Sequence, residues 1–362
     1  MLIHITTSLP PYKVSQTRAS EELKTRMAVR PAIGRLIDTA SQHSGIDTRY
    51  VVVPDAENGP LPKFYSTGSG AITPDTKTRM IEYEHWSKVL AKDAVTRLLE
   101  ETGCAPSSVR RLITISCTGF YAPGIDYYLM NEFQFPVSVQ RTHIGFMGCA
   151  AALVGLTSVL ESLRAADDSD STTLLVALEI CSLHLQTEPT RDNILANMIF
   201  ADGCAAMLFS KAEKYTPKLH LLSTHSHLFE NSAEFMGWKI GNTGFEMMLS
   251  SELPRIILEE AVPVLHTIMK HQGIGPQLIR HWVLHPGGRA ILDSLQTGLQ
   301  LSDEDMLPSR EVLRKYGNMS SPSILFVMKE LLATQNVYKD EYVCAVAFGP
   351  GLTMEVAFLK GV

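Results

Sequence analysis

The chain has 362 residues, with 32 Lys+Arg against 38 Asp+Glu and a net charge of -6. A charged fraction of 19% and an apolar fraction of 45% exclude a disordered chain, and the acidic balance excludes a binder of the nucleic-acid backbone. No apolar run approaches about 18 residues, so no membrane span is expected. The start MLIHITTSLPPYKVSQTR lacks a basic segment followed by an apolar one. A cytoplasmic protein is therefore expected, built as about two domains or one large fused unit.

In chain order, residues 15–45 read as helical, carry Lys24, Arg26, Arg30 and Arg35, and should be interrupted at Pro31 and Gly34. Residues 53–76 have the composition of a surface loop. Apolar positions from Met80 to Leu99 recur at helical spacing over 79–102. Residues 111–116 read as a buried strand that runs into the turn-rich CTGFYAPGID. A second unit follows: a strand over 138–144, breaks at Gly145 and Gly148, and an apolar helix over 150–163. The acidic ADDSDST reads as a solvated loop, 174–180 as a strand, and 198–210 as a strand pair around Ala201-Asp202-Gly203. Residues 215–218 look like a junction. Beyond it come a helix over 253–271, a strand over 280–284, helices over 290–299 and 320–334, and strands over 342–348 and 352–359. Phe200-x-x-Gly203-x-x-x-Met207 resembles Phe348-x-x-Gly351-x-x-Met354, which suggests a tandem α/β duplication. Alternating strands and helices predict parallel or mixed sheets with helices on their faces.

None of the six cysteines stands in a CxxC, which disfavours a zinc site and a disulfide framework. Cys149 follows Gly148 and opens a helix, where free N–H groups and the helix dipole favour a thiolate. The same place also suits a thiol that only caps a packed helix, and the local pattern leaves both readings open. His285 ends an apolar strand before Pro286-Gly287-Gly288, where α/β sheets present chemistry. Asn318 sits in a Gly-Asn-Met-Ser-Ser turn that enters a helix. Each residue alone has an ordinary structural role, but the three together form a rarer combination.

The segments CTGFYAPGIDYYL, GFMGCAAAL, IFADGCAAML, HWVLHPGGRAILD, SREVLRKYGNMSS and AFGPGLTMEVAFL span most of the chain. On them the sequence resembles the type III polyketide synthases, the chalcone synthase-like enzymes. The resemblance implies a thiolase fold: two fused βαβαβαββ halves, here 1–215 and 216–362, in a five-layered αβαβα core. It implies a Cys149–His285–Asn318 site. Cys149 would take an acyl group from an acyl-CoA starter, with His285 holding it as a thiolate. His285 and Asn318 would donate to the malonyl-CoA carbonyl during decarboxylation and Claisen condensation. No metal or other cofactor is implied, and a homodimer is.

The resemblance also marks a pocket. Phe200 matches the gatekeeper phenylalanine, and Met247 falls where plant members carry a second one. Cys117 and His184 replace threonines of the initiation pocket, and Trp238 replaces a glycine that controls chain length. Ser320 and Pro350 complete the expected substrate contacts. The CTG reading resembles bacterial members, several of which accept long fatty acyl starters, so an alkylpyrone or alkylresorcinol product is expected. A Trp at 238 predicts few extensions or a rerouted channel. The plant row of basic residues for coenzyme A aligns with Leu36, Thr39 and His43, leaving Arg26, Arg30 and Arg35 as stand-ins, or an acyl carrier protein as donor. Ala122 replaces the methionine that crosses the plant dimer interface. The alternative is a β-ketoacyl carrier-protein synthase III, but His285-Pro286-Gly287-Gly288 and Asn318-Met319-Ser320-Ser321 depart from that family's runs. A non-catalytic subunit of the same fold would not be expected to retain all three site residues. His220, His225 and His227 lack a thiolate or carboxylate at ligand spacing, and no Walker loop or GxGxxG follows a strand.

Overall fold

The apolar runs of the first half become parallel and antiparallel neighbours at one end of a nine-stranded sheet. The computed structural model describes residues 1–27, 30–53, 55, 64–65, 73–165 and 171–362. Gly68-Ser69-Gly70, and most of the expected loops at 53–76 and 166–172, lie outside the described residues.

β1 (Leu2–Ser8) opens the chain, followed by β2 (Tyr12–Ser15) and α1 (Gln16–Arg26). The expected helix over 15–45 is two helices. Pro31 begins α2 (Pro31–Gln42), because its ring fits a first turn whose N–H groups need no intrahelical acceptor, and Gly34 lies inside α2. β3 (Thr48–Val51) pairs with β2. α3 (Thr76–Thr102) is capped by the Asp75 side chain and ends at Gly103 with φ 63°. Then come β4 (Val109–Ser116), α4 (Ile125–Glu132), β5 (Gln140–Gly145), α5 (Ala151–Ala165) and β6 (Thr172–Ile180).

The expected strand pair over 198–210 is a correction. Thr190 caps a helix, α6 (Arg191–Ile199), which buries Ile194 and Met198 one turn apart, so only β7 (Asp202–Ser210) is a strand. The second half adds β8 (Leu219–Leu228) and the hairpin β9 (Met236–Gly241) and β10 (Gly244–Leu249), none of which the periodicity announced. The expected helix over 253–271 is α7 (Leu253–Ile256), a π turn at Ile257–Ala261, and α8 (Val262–His271). Pro263 removes an N–H from that ladder, a local reason for the wider turn. β11 (Ile279–Leu284), α9 (Arg289–Leu299), α10 (Asp303–Tyr316), α11 (Ser323–Thr334), β12 (Tyr342–Gly349) and β13 (Thr353–Gly361) complete the chain.

The duplication is visible in the pairing. In the first half β4–β6 is parallel, while β6–β7 and β7–β1 are antiparallel; in the second half β11–β12 is parallel, while β12–β13 and β13–β8 are antiparallel. One residue pair, Leu2 with Leu219, joins the two sets into a continuous sheet. α5 and α11 each pack on strands of both halves, as central-layer helices should. Leu153, Leu156 and Val159 of α5 are fully buried, each worth roughly 1.5–3 kcal/mol. Among the described residues, the window Gly148–Ala165 is apolar and long enough to cross a membrane by composition, and half of it is buried in this core.

Candidate active site

Three chain turns meet between the halves. The first follows β5, where Gly148 has φ 60°, and a Cβ there would lie 2.4 Å from Pro350 Cδ. Only glycine allows the Gly349–Pro350 turn of the second half to sit this close. Cys149 comes next, 9% exposed. The Gly148 N–H donates to Cys117 Sγ at 3.1 Å, which holds the loop beneath the thiol.

His285 follows β11, with its N–H bonded to the Val346 carbonyl at 2.9 Å. It is 3% exposed, and among the described residues neither ring nitrogen has a hydrogen-bond partner. Asn318 is clamped across the halves: its N–H donates to Ile199 and its carbonyl accepts from the Ala201 N–H at 2.9 Å. The Ser320 N–H donates to Asn318 Oδ1 at 2.8 Å, with Ser320 at φ 57°. This orients the amide so that Nδ2 points its donors at Cys149 Sγ, 4.0 Å away, and at the Gly287 carbonyl at 3.3 Å. The structure thus brings Cys149, His285, Asn318 and Ser320 together.

Burial works against the expected thiolate–imidazolium pair. Burial pushes the Cys149 thiol up to about 11, against the opposing hydrogen bonds of Ser320 and Asn318. Burial also drives His285 down to about 3. Desolvation of each charge opposes the helix dipole here and favours the neutral thiol and imidazole. A neutral imidazole can still accept the thiol proton as sulfur attacks. Alkylation of Cys149 by iodoacetamide should therefore accelerate about tenfold per pH unit from pH 7 to 10, tracking the thiolate fraction. A rate already at its plateau at pH 7 would instead indicate a preformed ion pair.

Phe200 and Met247 line three cavities at once. An entrance cavity of about 480 Å³ reaches Cys149, His285 and Asn318 and is walled outward by Leu36, Thr39 and His43. A chamber of about 30 Å³ is enclosed by Cys117, Cys149, Trp238, Ser320 and Pro350. A second, largely apolar cavity of about 110 Å³ lies past Cys181 and Trp238. Trp238 and Met247 are direct cross-strand partners on the β9–β10 hairpin, so one hairpin supplies two of the departures from the plant pattern. The Trp238 indole donates to the Cys117 carbonyl at 2.8 Å and meets His184 edge-on. His184 lines the second cavity with both nitrogens used: one pairs with the Thr118 carbonyl at 2.7 Å, and the other accepts from the Phe245 N–H at 3.0 Å.

Glu179 was missed by sequence reasoning. It is fully buried, its carboxylate accepts from Ser116, Cys117 N–H, Thr118 and Ser321, and burial raises it to about 7. The available signal was a single acid in the otherwise apolar run LLVALEI. Arg26 is corrected: it is buried against Asp55 and Glu22 and lines the second cavity, not the entrance. Arg30 and Arg35 are exposed at the start of α2. Among the described residues no group of three His, Cys, Asp or Glu is placed to hold a metal.

The two-half pairing and the turn-borne Cys, His and Asn are those of a thiolase-fold acyltransferase. The profile described as "Chalcone and stilbene synthases, C-terminal domain" matches residues 220–362, and "FAE1/Type III polyketide synthase-like protein" matches 65–227. The chain is 31% identical to the alpha-pyrone synthesis polyketide synthase-like Pks18 of Mycobacterium tuberculosis (strain ATCC 25618 / H37Rv), over 75% of this chain and 70% of that protein. It is 25% identical to the 1,3,6,8-tetrahydroxynaphthalene synthase of Streptomyces peucetius subsp. caesius, over 98% and 91%. The solved PKS-I of the brown alga Ectocarpus siliculosus superposes with a TM-score of 0.91 at 28% identity, covering 100% of this chain and 99% of that one. The chain belongs to the type III polyketide synthases, acyltransferases that work by decarboxylative Claisen condensation.

Proposed function

We propose that the protein loads a fatty acyl group from acyl-CoA onto Cys149 and extends it with malonyl-CoA to an alkylpyrone, alkylresorcinol or related polyketide. Cys149 sulfur attacks the starter thioester, its proton passes to His285, and coenzyme A leaves as the thiol. Malonyl-CoA then loses carbon dioxide. The electron pair left behind forms an enolate whose oxygen meets His285 and Asn318 Nδ2, with no cofactor called for. The enolate carbon attacks the acyl-cysteine carbonyl, the carbon–sulfur bond breaks, and the departing Cys149 thiolate regains a proton from solvent. The observation that carries the fatty acyl reading is the second cavity beside Phe200, Met247 and Cys181, a mainly apolar space with Arg26 and Asp55 in its wall, which shares Phe200, Met247 and Cys181 with the cramped chamber. Pks18, by its name, makes an α-pyrone. The test is incubation with malonyl-CoA and a panel of acyl-CoA starters, with products identified by mass spectrometry. Medium or long alkyl products support the reading, and products only from small or malonyl starters oppose it.

The small chamber favours few extensions, and single condensation, as in a β-ketoacyl carrier-protein synthase III, is its limiting case. Trp238→Gly should open that space and shift products toward those with at least one more malonyl unit. An unchanged product distribution would remove Trp238 as the chain-length stop.

We also propose a cytoplasmic homodimer in which the two halves, 1–215 and 216–362, function only as one unit. Six free cysteines suit a reducing compartment. Among the described residues β5 pairs only with β4, leaving its outer edge open beside exposed Phe120 and Met147.

A further inference from the structure

We infer that Arg191 and Arg289 hold the phosphates of the coenzyme A donor, in place of cations on α2. The inference rests on the function proposed above. The wall that α2 gives the entrance carries Leu36, Thr39 and His43, and no full positive charge. The opposite walls begin with arginines: Arg191 is the first residue of α6 and Arg289 the first of α9, and both line the same cavity as Cys149 and His285.

Both side chains are exposed at the cavity rim. Among the described residues no ion pair engages Arg191. Arg289 is only loosely held, with Nε 3.6 Å from Asp293 and both side chains about half exposed. Arg310 takes the other Asp293 oxygen at 2.6 Å, so the carboxylate is already shared. A solvated pair of this kind is weak and exchanges readily for a phosphate.

The backbone adds to the charge. Gly288 gives α9 no side-chain cap, and Arg289, Ala290 and Ile291, the first residues of this eleven-residue helix, line the cavity with the positive end of its dipole. At the inner end of the same cavity, His285 is buried with two nitrogens unpartnered among the described residues. A ligand with a thioester carbonyl at one end and phosphates at the other satisfies both ends. The acidic chain thereby binds a polyanion through a local exception to its overall charge.

The test compares malonyl-CoA with the malonyl thioester of N-acetylcysteamine, which has no phosphates. Each single change, Arg191→Ala or Arg289→Ala, should lower the kcat/KM preference for malonyl-CoA over the truncated thioester about tenfold, and the pair together about a hundredfold. Calorimetry with free coenzyme A and with 3′,5′-ADP should show the matching loss of affinity, and Arg→Lys should recover part of it. An unchanged preference, or an equal loss on both thioesters, would overturn the assignment. Tight coenzyme A binding lost in the variants, from a wild type that makes no polyketide, would keep the assignment and overturn the proposed function. A wild type that ignores coenzyme A and accepts only carrier-protein thioesters would overturn both the assignment and the coenzyme A donor.

Discussion

Cys149→Ala should leave no measurable polyketide formation from any acyl-CoA starter, while the protein stays folded. Cys149 is the only cysteine that lines both the entrance and the small chamber among the described residues. Cys117 lines the chamber, but it is bound to the Gly148 N–H and burial holds it well above its ordinary range. Cys181 is likewise raised by burial. Neither can replace a nucleophile at the end of the entrance. Removing one buried sulfur costs little packing, so circular dichroism and melting temperature should change modestly. Malonyl-CoA decarboxylation by His285 and Asn318 should persist at a reduced rate, because those donors do not need the thiol. Polyketide formed at the wild-type rate by Cys149→Ala would refute covalent loading.

His285→Ala or Asn318→Ala should lower both malonyl-CoA decarboxylation and condensation by about 10²–10³-fold. The two differ in a way that separates their roles. Asn318 is held by the Ser320 N–H and both flanking backbone bonds, so Asn318→Ala removes one donor and leaves Cys149 loading largely intact. His285→Ala removes a donor and the acceptor for the thiol proton, so starter loading should fall as well. Equal loading defects in both variants would contradict this division of work.

Much of the site could be read before the fold was known. Cys149, His285 and Asn318 each stand close to a glycine in a turn, and those turns converge because the two halves repeat one pairing pattern. The electrostatics could not be read locally. The sequence places Cys149 at a helix start, which favours a thiolate, but the burial that opposes this comes with the β12–β13 turn packed on Gly148, distant in the chain. Helix α6 was misread because its nine residues carry little periodicity and lead straight into β7. β8 was missed because its alternating LHLLSTHSHL packs only one face on the core. Arg26 looked like a surface cation, and only the distant Asp55 draws it inward.

The most direct measurement is peptide mass spectrometry after mixing the protein with a fatty acyl-CoA alone, without malonyl-CoA. The expected result is one acyl group in thioester linkage on the Cys149 peptide, released as an extended product when malonyl-CoA is added. Product formation with no acyl group ever found on Cys149, or an acyl group carried on another residue, would contradict the mechanism.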